Sequence, residues 1–160
     1  MTAGPIRLYS FWRSSAAYRV RIALNLKGLP YETVPVHLVK DGGEQHSTAF
    51  AELNPQELIP VLMHGNRVLR QSMAIIEYLE DTWPEPALMP TIVRDRQRVR
   101  ALAQAIACEI HPLNNLRVQQ YLEKTFKASE AQREEWTRHW IRVGFESFEK
   151  LLADNPSTGE

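Results

Sequence analysis

Residues 84–90 read PEPALMP, three prolines in seven residues. Proline lacks a backbone N–H and its ring clashes with the preceding turn, so no helix runs through such a stretch. The segment reads as an inter-domain linker. It divides the 160-residue chain into two parts of different character, each small enough that a shared core is expected.

The part before the prolines mixes two periodicities. IRLYSF (6–11) alternates and predicts a strand. From Ser15 the spacing becomes helical through Val20, Ala23, Leu24 and Lys27, with Gly28 placed to end the helix. YETVPVHL (31–38) is a second strand, which Pro35 assigns to a sheet edge. KDGGEQHS (40–47) is a polar loop, and TAFAELN (48–54) a short helix stopped by Pro55. LIPVLMHGNRVLRQS (58–72) predicts a hairpin around His64, Gly65 and Asn66. SMAIIEYLEDTW (72–83) predicts a helix capped by Ser72, with Ile75, Ile76 and Leu79 buried. The order is β-α-β-α-β-β-α.

The part after the prolines is helical throughout. Val99, Leu102, Ala103, Ile106 and Ile110 make one stripe, which Pro112 interrupts. Leu116, Tyr121, Leu122 and Phe126 mark a second helix. A third runs from Ser129 to about Leu152, and Ser129 with Gln132 has capping-box spacing. Trp136 and Trp140 belong to its apolar face, and Cys108 is expected as a small buried hydrophobe. The fold class is therefore α/β followed by all-α.

Nineteen basic residues balance nineteen acidic ones, so bulk charge points to neither nucleic acid nor a membrane surface. One cysteine excludes an internal disulfide framework. No signal segment or membrane-spanning run is seen, which makes the cytoplasm the expected compartment. The five histidines do not show metal-ligand spacing, and no metal is expected.

Three stretches can carry chemistry. Arg13, Ser14 and Ser15 lie where a strand gives way to a helix. The free amides and dipole of a helix start favour an anion, and a thiolate held there has a lowered pKa. Ser14 is equally readable as an ordinary N-cap. Pro60 opens a strand after Ile59; a trans edge proline is the plain reading, and a cis bond would offer the Ile59 backbone to a peptide. Gln71 and Ser72 precede another helix start, where a carboxylate would fit, or a simple cap.

FWRSSAAYRVRIALNLKGLPYE, LNPQELIPVL, LRQSMAIIEYLEDTWP and IHPLNNL together resemble the zeta class of the glutathione transferase superfamily. The resemblance covers nearly the whole chain. It implies a thioredoxin-like domain over residues 1–84 with a cis bond at Pro60, a linker over 85–90, and a helical domain over 91–160. It implies glutathione as cofactor. Ser14 would hydrogen-bond its sulfur with Ser15 beside it, Gln45 would reach it from the polar loop, and Ile59 would pair with its cysteinyl part. Gln71 and Ser72 would hold the γ-glutamyl carboxylate, and Asn115 would approach from the helical domain.

The implied reaction is cis–trans isomerisation of maleylacetoacetate to fumarylacetoacetate in tyrosine and phenylalanine breakdown. Maleylpyruvate or α-halo acids are rival substrates. Such a dicarboxylate calls for cations, with Arg13 and Arg117 the candidates and His111 a further substrate-orienting one. A homodimer is implied too. A rival of another class is a non-catalytic, protein-binding module of the same fold; retention of the helix-start hydroxyl and the Gln-Ser pair speaks against it. Two departures stand out. Ala16 occupies a position where the family often has cysteine, and the family continues with more helices beyond residue 160, which implies a helical domain truncated at its C-terminus.

Overall fold

The computed structural model describes residues 4–154. The chain forms two compact units, one ending at Met89 and the other starting at Pro90.

The first unit is a four-stranded sheet with helices. Its elements are β1 (Ile6–Ser10), α1 (Ser15–Leu26), β2 (Glu32–Pro35), α2 (Thr48–Leu53), β3 (Val61–His64), β4 (Arg67–Arg70) and α3 (Ser72–Thr82). Two short 3-10 turns, Lys40–Gly42 and Glu44–His46, lie between β2 and α2. The strand order is β2-β1-β3-β4. β1 runs parallel to β2 and antiparallel to β3, and β3 is antiparallel to β4. β2 is an edge, where the missing N–H of Pro35 costs no ladder bond. It is shorter than the run 31–38 suggested, because the chain leaves the sheet after Pro35.

Alternation in β1 buries Ile6, Leu8 and Ser10. Their apolar face meets Val20, Ala23 and Leu24 of α1 and Ile75 and Leu79 of α3 in one core. Gly28 takes φ 63° just beyond α1, a conformation that carries a steric cost for any side chain with a Cβ. A second cluster on Val36, Phe50 and Val61 fills the space around α2.

Lys27 falls at helical spacing with the apolar residues of α1, and its side chain is fully buried. Its ammonium meets Glu80 Oε2 at 2.7 Å and donates to the carbonyls of Trp83 (2.6 Å) and Pro86 (3.0 Å). All three of its hydrogens thus have acceptors. The Glu80 carboxylate also accepts from the amides of Leu88 and Met89. The proline-rich segment is therefore held against α1 and α3 through its own backbone.

The second unit holds α4 (Val93–Gln104), a π-helical turn (Ala105–Ile110), a 3-10 turn (Pro112–Asn114), α5 (Leu116–Phe126) and α6 (Glu130–Ala153). The stripe from Val99 to Ile110 is thus not one regular helix, since the π turn widens its last part. Cys108 is exposed, contrary to the expectation that it is buried. It stands two residues from Ile106 and from Ile110, on the other side of the turn from both. Ser129 caps α6 in a complete capping box with Gln132. Trp136 donates its indole N–H to the carbonyl of Leu113 at 2.8 Å. Among the described residues, no helix is long and apolar enough to cross a membrane.

Candidate active site

Strand direction decides where the candidate residues fall. Tyr9 near the end of β1 pairs with Val61 at the start of β3, and Val61 pairs with Arg70 at the end of β4. Ser10 at the end of β1 pairs with Pro35 at the end of β2. The segments leaving β1, β2 and β4 and the segment entering β3 therefore all emerge at one end of the sheet. They carry Arg13, Ser14 and Ser15; Gln45; Gln71 and Ser72; and Ile59.

Ser14 is the N-cap of α1. Its backbone is extended (φ −74°, ψ 114°), and its Oγ accepts from the Ala17 amide at 3.1 Å. Accepting that bond consumes a lone pair and leaves the hydroxyl proton to be donated elsewhere. The cap and the thiol-binding reading are therefore compatible. Ser15 opens the helix and is exposed, as is Arg13, whose guanidinium lies 5.6 Å from the centre of the Trp12 ring.

Ser72 is not the cap of α3. Gln71 takes that place at φ 68°, and Ser72 is the first helical residue. Its hydroxyl accepts instead from Arg19 Nη1 of α1 at 3.4 Å, and the side chain is buried. Gln71 bonds sideways to Gln56 Oε1 at 2.7 Å. The Ile59–Pro60 bond is cis, so the plain reading of a trans edge proline is overturned. Gln45 is buried in the loop after β2, and its Oε1 has no hydrogen-bond partner among the described residues.

The remaining candidates lie in the second unit. Asn115 caps α5, its Oδ1 accepting from the Arg117 amide at 3.1 Å. Arg117 is exposed, and His111 is half-buried at the end of the π turn.

Glutathione carries a thiol, peptide amides and two carboxylates. Groups at one end of the sheet match that set: a helix start with an unspent hydroxyl proton at Ser14, a buried serine at a second helix start, and an orphaned amide oxygen on Gln45. Sequence reasoning passed over Arg19, although it stands four residues after Ser15 and one turn along the same helix. It also passed over His46, which holds Gln45, and over Lys27 as a buried cation. For Lys27 a signal was present, a charged residue inside an apolar stripe. No group of three or more metal-ligating side chains occurs among the described residues.

A family model described as glutathione S-transferase, N-terminal domain, matches residues 8–87. A maleylpyruvate isomerase of Ralstonia is 54% identical over 155 residues, 96% of this chain and 72% of that protein. A probable maleylacetoacetate isomerase of Vibrio cholerae is 54% identical over 145 residues, 91% of this chain and 67% of that protein. The holo structure of a maleylpyruvate isomerase, described as a bacterial zeta-class glutathione S-transferase, has a TM-score of 0.90 at 54% identity. It is matched over 96% of this chain and 71% of that one. A maleylacetoacetate isomerase from Methylobacterium extorquens AM1, solved with malonate and glutathione, also has a TM-score of 0.90, at 42% identity and the same coverage. With half its length matched by the family's N-terminal domain, and more than half its aligned residues shared with a zeta-class structure, this chain belongs to the zeta class of the glutathione S-transferase family.

Proposed function

We propose that the protein is a glutathione-dependent cis–trans isomerase whose substrate is maleylacetoacetate, with maleylpyruvate as the second reading. The observation that carries the proposal is the Ser14 hydroxyl, fixed at the start of α1 by accepting from the Ala17 amide, which leaves its proton to be donated. Relatives of both names at 54% identity support it, as does the similar structure that holds glutathione together with a dicarboxylate.

Glutathione, when bound, would supply a thiolate for reversible addition to the substrate double bond, its departure returning the alkene in the trans form. Ser14 donates its hydroxyl proton to the sulfur, and the amides and dipole at the start of α1 favour the anion. Ala16 takes no part in this, since the reacting sulfur is not the protein's. Ser15 flanks the same helix start. Ile59 offers backbone bonds to the cysteinyl part, and Gln45 holds the tripeptide from the loop after β2. Gln71 and Ser72 receive the γ-glutamyl carboxylate at the start of α3, and Asn115 is a glutathione-side candidate on family likeness alone. Arg13 pairs with a substrate carboxylate and stabilises negative charge that develops at the carbonyl. Arg117 and His111 are the further substrate-side groups. A cytoplasmic homodimer completes the proposal, on family likeness alone.

Maleylacetone isomerisation with and without glutathione tests it. Glutathione-dependent turnover is expected. Glutathione binding without turnover on maleylacetone or maleylpyruvate would redirect the reading to another zeta-class transfer reaction, and no binding would leave Ser14 a plain cap.

A further inference from the structure

Gln45 is held by more than its own loop. Its amide Nε2 has two hydrogens. One faces the Leu38 carbonyl at 3.3 Å, and the other faces His46 Nε2 at 3.0 Å. His46 Nε2 can accept only if the ring proton sits on Nδ1. Nδ1 in turn meets the carboxylate of Glu57, an acceptor when ionised. The bonds therefore run in one direction, from Gln45 to His46 to Glu57. Both amide hydrogens are spent, and Oε1 is left buried and unpartnered among the described residues.

The backbone closes over this amide. A Cβ at Gly43 would lie 2.5 Å from Gln45 Nε2 and 2.7 Å from Oε1, and Gly43 has φ 110°. At that φ a residue with a Cβ is strained, and its Cβ would push the amide from this position. A buried carbonyl oxygen without a partner is costly. Built so deliberately, it calls for a donor from outside the loop.

We propose that His46, held by Glu57, is a positioning residue that turns the Gln45 amide so that its carbonyl oxygen meets an amide N–H of bound glutathione. The proposal rests on the reading that Gln45 lies in the glutathione site. It adds a proton linkage to that site. When His46 gains a second proton, Nε2 becomes a donor facing a donor, and the Gln45 amide must invert and give up Leu38. Glutathione affinity then falls on the acid side. Among the described residues, Glu57 is the ionisable group bonded to His46, while the carboxylate of Glu44, on the same loop, accepts from the His37 amide at 2.6 Å. His37 Nδ1 is itself occupied by the Lys40 amide at 2.9 Å.

The test is glutathione binding by calorimetry from pH 5.5 to 8.5, beside nitrogen-15 NMR of the histidine rings. The wild-type His46 ring is expected as the Nδ1–H tautomer at neutral pH. His46→Phe is expected to weaken binding about fivefold at pH 7.5, the loss of one fixed hydrogen bond, and to flatten the acid limb. Glu57→Gln keeps an oxygen acceptor for Nδ1. It should bind within twofold of wild type at pH 7.5. A His46→Phe to wild-type affinity ratio that stays constant with pH, or an Nε2–H tautomer, overturns the positioning role. Gln45→Ala separates the two failures. Lost affinity with a constant ratio sinks only the positioning role, whereas unchanged affinity removes Gln45 from the glutathione site altogether.

Discussion

At the scale of single residues, Ser14 carries two duties that one substitution can confuse. Its lone pair caps α1 at 3.1 Å, and its proton is available to a sulfur. Ser14→Ala removes both, at a stability cost of about 1 kcal/mol for the cap. Ser14→Gly is the cleaner change, since glycine at an N-cap costs only a few tenths of a kcal/mol. Both variants should lower isomerase turnover about 100-fold or more, the size of losing one aimed donor. Both should raise the pKa of bound glutathione, read from thiolate absorbance. Equal turnover in wild type and Ser14→Gly would leave Ser14 only its cap. The sequence made the hydroxyl legible, because a serine between a strand and an amphipathic run stands at a helix start, where it can cap and can face an anion. It did not make Ser72 legible in the same way. Whether a serine sits at the cap or one residue later depends on the φ of 68° at Gln71, and no local pattern announces that.

At the scale of elements, the contact of Lys27 with Glu80 ties α1 and α3 to the segment beyond. Breaking a buried, fully hydrogen-bonded pair on one side leaves an uncompensated charge, and Lys27→Met should cost about 3–5 kcal/mol in denaturant unfolding. Burial raises the Glu80 pKa, but the bonds from Lys27 and from the Leu88 and Met89 amides, with the Lys27 charge, outweigh it and leave the carboxyl below its ordinary value. A carboxyl lowered in the folded state contributes stability that is present above its unfolded pKa and lost as pH falls through its folded one. Acid titration of wild type against Glu80→Gln should show this. The variant begins less stable at neutral pH and loses less on acidification; parallel curves would mean that Glu80 is not linked to folding. A second element-scale contact joins α6 to the π turn. A Cβ on Gly144 would come within 2.6 Å of Ile110 Cδ1. Gly144→Ala should destabilise by about 1–3 kcal/mol through overpacking, despite the better helix propensity of alanine. A more stable variant would show that the turn yields. Apolar spacing told where these helices run. It could not show the π turn, which changes the register of Ile110 without changing the residue types.

At the scale of the whole molecule, the two units differ in how they are held. The first has two clusters of buried side chains, with Leu8, Val20, Leu24, Val61, Leu62, Ile75 and Leu79 at 0% exposure. Among the described residues of the second, Ile110 is the one buried apolar residue, at 6%. The proline-rich division and the change of periodicity made the two characters readable in advance. The difference in burial was not readable, because an apolar stripe states which face seeks cover and not how completely it finds it. Local opening free energy follows buried apolar contact. Native-state hydrogen exchange should therefore protect the amides of β1, β3, α1 and α3 most strongly, with α5 and α6 exchanging first. Glutathione at a hundred times its dissociation constant adds about 2.7 kcal/mol to whatever opening destroys its site. If the site lies at the end of the sheet where β1, β2 and β4 leave and β3 enters, that increment should appear in full on the globally opening amides of β1 and β3. It should be absent from the end of α6 at Leu151 and Leu152, where terminal fraying is local. An increment on the helical unit alone would place the bound tripeptide away from Ser14 and Ser72, whatever the likeness of the chain to its relatives.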